Sequence, residues 1–158
     1  MAVISWNDSL SVGVLAFDNQ HRRLIAIINK LHDAMKDGRG KEVLDGIMLE
    51  LVDYTVYHFL AEEKMFIDTG YPDYVAHKRE HETFMKTVGE LQGKMTTTSM
   101  MPSVESLNVL REWLYHHILE SDKPIVPHLI ETALSQKAAS VMPLQGGNGL
   151  VSRTGLQG

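Results

Sequence analysis

The chain contains no cysteine. That excludes disulfides, thiolate zinc sites, cysteine-ligated iron–sulfur clusters, covalent haem attachment and a cysteine nucleophile. It has no surplus of positive charge. Its 15 Lys and Arg stand against 20 Asp and Glu, a formal net charge of -5. Bulk electrostatics therefore does not draw it to nucleic acid or to an anionic membrane surface. It has no long hydrophobic run either. Pure apolar stretches such as Ile25 to Ile28 last a few residues, against the roughly 20 needed to span a bilayer. The opening MAVISWNDSL lacks a basic region followed by an apolar core, so it does not read as a signal peptide and a cytoplasmic protein is expected.

The residues present suffice for a core. The 158 residues, 44% hydrophobic and 22% charged, predict one soluble globular domain, with or without a tail. Residues 1–17 read as an extended N-terminal arm, with Trp6, Leu10, Val12, Val14 and Phe17 as apolar anchors and Asp18 as the N-cap of the first helix. Leu24, Ile28, Leu31 and Met35 then recur at helical spacing, and Gly38 and Gly40 end that helix. A second helix begins near Lys41, carries Leu44, Ile47, Met48, Leu51, Thr55 and Met65, and stops near Thr69-Gly70. A third starts around Pro72-Asp73 and runs through Phe84, Val88, Leu91 and Met95. Thr96 to Ser99 reads as a loop. A fourth starts near Pro102, carries Leu107, Leu110, Trp113 and Leu114, and should end or kink at Pro124. The predicted fold is all-α: an antiparallel up-down four-helix bundle over residues 1–138. The glycine-rich residues 139–158 read as a tail or linker.

The 8 histidines do not suit a plain bundle. Extending each apolar stripe by one step reaches His21 on the first helix, and His58 then Glu62 on the second. The third gives His77 then His81, and the fourth gives His117. Each stands where packing wants an aliphatic side chain. Burying one such ring without a partner costs roughly 1–3 kcal/mol, and five of them with a carboxylate would consume much of a stability margin of roughly 5–15 kcal/mol. Metal binding removes the difficulty. His58 and Glu62 are four apart, as are His77 and His81, so each pair projects side by side. His117 and Asp122 are five apart, which in a regular helix separates their faces. Pro124 should loosen the helix there and let Asp122 swing inward.

The other candidates have plainer readings. His32 lies about 16 Å along the axis from His21 and is expected to be structural. His116 points away from His117 toward the surface, and His128 follows two prolines. Glu63 is expected to be a solvated charge, and so is Glu120, although it lies nearer the suspect face. The 9 methionines fall mainly on apolar stripes, as core.

His21, His58-Phe-Leu-Ala-Glu62, His77-Lys-Arg-Glu-His81 and His117-Ile-Leu-Glu-Ser-Asp122 resemble the ligand set of hemerythrins. The segments ISWNDSLSVGV, YTVYHFLAEEKMF, GYPDYVAHKREHETF and WLYHHILESDK extend the resemblance over about residues 4–135. The resemblance implies two non-haem iron ions, cycling between Fe2+ and Fe3+. It places one on His77, His81 and His117 and the other on His21 and His58. Glu62 and Asp122 bridge them, together with an oxo or hydroxo group. The iron with two histidines keeps an open position for O2, and Leu24, Phe59, Trp113, Leu114 and Ile118 match the family's apolar pocket beside it. Imidazole and carboxylate suit ferrous iron, and an imidazole-rich shell is expected to favour reversible binding over substrate oxidation. Pro124, Pro127, Glu120 and the tail depart from the family pattern.

The leading expectation is reversible O2 binding for transport, storage or delivery, by a monomer that is not an enzyme and has no nucleic-acid or membrane partner. An O2-using enzyme or a signalling protein would be its partner. An O2 or redox sensor, marked by an attached signalling domain, stays open as an alternative. So does a di-iron oxidase, peroxidase or nitric-oxide-handling enzyme.

Overall fold

The computed structural model describes residues 4–98 and 101–141. Every regular element among them is helical: a 3-10 turn at Asp8–Leu10, α1 Leu15–Lys36, α2 Lys41–Thr69, α3 Tyr74–Thr98, α4 Val104–His116, a π-helical turn His117–Asp122, and α5 Ile125–Val141. α1 packs on α2 and α4, and α3 on α2 and α4. The four long helices therefore close a ring with sequence neighbours side by side, as an up-down bundle requires. The fourth position is filled by α4, the π turn and α5 in succession.

The bundle is held by inward stripes that meet in one cluster. Leu31, Leu44, Leu51, Val88 and Leu110 are each fully buried within it. Chain reversals occur at glycines that accept a left-handed backbone. Gly70 has φ +66, and Tyr71 N–H donates to the Phe66 carbonyl at 2.9 Å, closing α2 in the manner that favours glycine. Gly38 at φ +65 does the same after α1.

Two expectations need correction. α1 begins at Leu15, so Asp18 sits in its first turn and is not the N-cap. Its carboxylate is buried and accepts from Val12 N–H at 2.8 Å and Ser11 Oγ at 2.6 Å. Asp18 thus ties the arm to the helix, and the arm itself contains the 3-10 turn and is not extended throughout. The expected loop at 96–98 is helix. Thr96, Thr97 and Thr98 each donate their hydroxyl to the carbonyl four residues back, at 3.0, 2.8 and 2.6 Å, which satisfies these residues within a helix. Ser99 lies outside the described residues. α5 continues to Val141. Residues 142–158, most of the expected tail, lie outside the described residues.

The loosening near Pro124 takes a definite form. Lys123 N–H donates to the Ile118 carbonyl, five residues back, at 3.0 Å. That is the π-helical bond, and its wider turn brings residues five apart onto one face. His117 and Asp122 are therefore both buried.

Candidate metal centre

Seven side chains converge at one end of the bundle. α1 supplies His21, α2 His58 and Glu62, α3 His77 and His81, and the π turn His117 and Asp122. None is more than 4% exposed. The Nε2 atom of His81 lies 3.0 Å from that of His77 and 3.1 Å from that of His117. One proton can be shared within a pair, but three ring nitrogens facing one another at this spacing is how ligands surround a cation.

Both carboxylates span the cluster. Asp122 places Oδ1 at 3.2 Å from Nε2 of both His77 and His117, and Oδ2 at 3.2 Å from Nε2 of His21. Glu62 places Oε2 at 3.3 Å from His81 and 3.6 Å from His58, and Oε1 at 3.7 Å from His21. Two overlapping groups result, each with ligand atoms within 4.8 Å of one another. One comprises Glu62, His77, His81, His117 and Asp122, the other His21, His58, Glu62 and Asp122. The carboxylates belong to both groups, and the histidines divide three to two.

Protein groups alone do not satisfy this cluster. Both ring nitrogens of His21, Nε2 of His58, Oε2 of Glu62 and both oxygens of Asp122 are buried without a hydrogen-bond partner. Each such atom costs about 1–3 kcal/mol. A pair of first-row divalent cations would use all the inward-facing lone pairs, and imidazole with carboxylate is a donor set that suits iron.

The electrostatics agree. Burial pushes the His21 ring down, but the Asp122 and Glu62 carboxylates facing it outweigh burial and raise it to about 9. Burial likewise disfavours charged His117, and the facing Asp122 carboxylate with the bond to Glu80 raises it to about 10. For His58 burial dominates, and the ring falls to about 4. Burial and mutual repulsion oppose ionised Glu62, yet the surrounding histidines hold it well below the usual carboxylate range. Asp122 is held low in the same way, His117 contributing most against burial. The carboxylates are thus anionic and draw positive charge into the cluster.

Three of the rings are held from behind. Nδ1–H of His58 donates to Gln20 Oε1 at 2.8 Å, that of His81 to Glu63 Oε1 at 3.2 Å, and that of His117 to Glu80 Oε2 at 2.8 Å. Ser121 Oγ also donates to Glu80, at 2.5 Å. Fixing the proton on Nδ1 frees Nε2 to face inward. Glu63 is therefore not the solvated charge expected of it. Besides His81 it pairs with Lys78 at 3.2 Å. Gln20, Glu80 and Ser121 support the rings from behind and are residues that the stripe pattern does not reach. Their signal is adjacency: Gln20 precedes His21, Glu63 follows Glu62, Glu80 precedes His81 and Ser121 precedes Asp122. A step of about 100° from an inward ligand aims a side chain at the neighbouring helix.

The remaining candidates separate cleanly. Leu24, Phe59, Leu114 and Ile118 are buried in the core cluster, and Trp113 is half-buried and packs against it. Phe59 stacks on His81 with ring centroids 3.7 Å apart, and Trp113 on His117 at 4.3 Å. Two members of the expected O2 pocket thus lie flat against ligands of the three-histidine group. Glu120 is exposed and lines an open cleft of about 650 Å³ with Glu80, Trp113 and His117. His116 is exposed and bonds the Glu112 carbonyl, His32 meets Asp33, and His128 meets the Thr69 carbonyl. These three serve local structure.

Comparison with known proteins gives the same picture. The Hemerythrin HHE cation binding domain family matches residues 12–129. The bacteriohemerythrin of Stenotrophomonas maltophilia is 40% identical over 126 residues, 78% of this chain and 79% of that protein. The bacteriohemerythrin of Methylococcus capsulatus is 34% identical over 131 residues, 82% of this chain and 98% of that protein. A crystal structure of wild-type hemerythrin superposes with a TM-score of 0.76 at 31% identity, covering 81% of this chain and 98% of that one. The buried ligand groups, the fold and these relatives agree: the chain belongs to the hemerythrin family.

Proposed function

We propose that this protein binds O2 reversibly at a non-haem di-iron centre, for transport, storage or delivery, and acts as a binder and not as an enzyme. The observation that carries the reading is the unequal division of histidines about two shared carboxylates. His77, His81 and His117 would hold one iron and His21 and His58 the other, with Glu62 and Asp122 serving both. When bound, the two irons supply redox chemistry, passing between ferrous and ferric states as O2 is taken up and released. The chain's own residues do the rest. The two-histidine group supplies one donor fewer, which leaves room there for a small ligand from outside. Leu24, Phe59, Trp113, Leu114 and Ile118 exclude water from the neighbourhood, and a dry surround opposes loss of a charged product. Gln20, Glu63 and Glu80 hold the rings in register. Among the described residues no helix is long and apolar enough to cross a membrane.

The test is to reduce the protein without oxygen, admit air, and record visible absorption and metal content together. Two irons per chain with a band that appears with O2 and fades on deoxygenation is the expected result. Conversion straight to a stable ferric spectrum, with nothing reversible, would refute reversible binding and favour a sensor or a di-iron enzyme.

A further inference from the structure

The hydrogen bonds behind the ligands are chemically unequal. On the three-histidine side two rings donate to carboxylates, His81 to Glu63 and His117 to Glu80. On the two-histidine side His58 donates to the neutral amide of Gln20, and Nδ1 of His21 is buried with no partner. We infer that Gln20, Glu63 and Glu80 act as positioning residues that set unequal potentials on the two irons, the carboxylates favouring the ferric state on the three-histidine side and the amide leaving the two-histidine iron easier to keep ferrous. The inference rests on the di-iron reading above.

The physical basis is donor strength. An imidazole that gives its outer N–H to a carboxylate gains electron density and becomes a more basic ligand, which stabilises the higher charge on the metal. An amide oxygen accepts the same bond without a net charge, so it orients the ring but adds little basicity. A ring with no outer partner gains neither. The arrangement is built into the fold. Ser121 lies in the π turn one residue before Asp122 and fixes Glu80 by its own bond, so the segment that delivers a shared carboxylate also braces a carboxylate behind His117. Glu63 sits deeper, but Lys78 at 3.2 Å offsets part of its charge. Glu80 is the more open of the two, and among the described residues no lysine or arginine pairs with it, so solvent tempers its charge. The difference also falls on the useful side. The iron meant to release O2 intact is the one whose ligands are least enriched in electron density.

Isosteric exchange in the full chain tests this, because Glu and Gln accept the same bond and differ in charge. Gln20→Glu, Glu63→Gln and Glu80→Gln are each loaded with ferrous iron under anaerobic conditions. Iron content, helicity and the two one-electron midpoint potentials are then measured. Gln20→Glu is expected to lower the potential of the two-histidine iron, and Glu63→Gln and Glu80→Gln to raise that of the other, so all three narrow the separation. Cobalt(II) titration of the metal-free protein gives a second readout: Glu80→Gln should weaken binding about 10-fold or more. A purely structural role for these residues would leave all potentials at the wild-type values in folded, fully loaded variants, and that result overturns the inference. The two carboxylate variants are independent, so misfolding of one leaves the other decisive. A wild-type chain that binds fewer than two irons would instead overturn the di-iron reading itself.

Discussion

The two ends of the bundle are made from the same four helices with opposite contents. At one end the inward positions are Leu31, Leu44, Met48, Leu51, Val88, Leu107 and Leu110, all buried and needing nothing beyond each other. At the other they are five histidines, Glu62 and Asp122, equally buried, with several polar atoms unpartnered. One end stabilises the fold by excluding water. The other buries polar atoms whose desolvation a bound cation would offset. The fold is therefore a rigid apolar clamp that holds a polar ligand set together.

That contrast can be broken from either end. The largest effect is expected from Glu62→Ala, which removes a shared carboxylate and leaves the facing rings uncompensated. Iron content measured by elemental analysis should fall from two per chain to one or none. Retention of two would remove Glu62 from the ligand set. Leu51→Ala at the apolar end should lower unfolding free energy by about 2–5 kcal/mol. Chemical denaturation should show the same loss in loaded and metal-free protein, with metal content unchanged.

A third expectation sharpens the comparison by pH. His21 and His117 titrate at about 9 and about 10 in the metal-free fold, against 6.5 in an unfolded chain. Their raised values contribute stability that is complete below pH 6.5 and is lost as pH rises through 9 to 10. Melting of the metal-free protein should therefore fall across that alkaline window. With metal bound these rings carry no proton on the coordinating nitrogen, and the dependence should disappear. The smallest effect is expected from Glu120→Gln. Its side chain is exposed at the open cleft, so stability should stay within about 0.5 kcal/mol and metal content should not change.

Most of the frame is legible in the sequence. Helical spacing of apolar residues locates the helices, and extending each stripe by one turn reaches the inward-facing histidines and Glu62. Even Asp122 is legible, because a five-residue gap beside a proline implies a widened turn. The arm is harder. Asp18 has the composition of an N-cap, and nothing local says that its carboxylate folds back onto Val12 and Ser11. Thr96 to Thr98 reads as loop because a threonine's affinity for its own helix carbonyls is invisible until the helix exists. The residues behind the ligands escape for a different reason. Gln20, Glu63 and Glu80 are polar residues one step off the inward face, where a solvated side chain is the ordinary expectation, and only the neighbouring helix reveals what they hold.

The most direct test of a shared-carboxylate di-iron centre is a crystal structure of the ferrous-loaded protein with anomalous scattering recorded at the iron edge. Two peaks are expected at the polar end. One should be surrounded by His77, His81 and His117 and the other by His21 and His58, with Glu62 and Asp122 between them. A single peak, or two peaks that do not share both carboxylates, would contradict it.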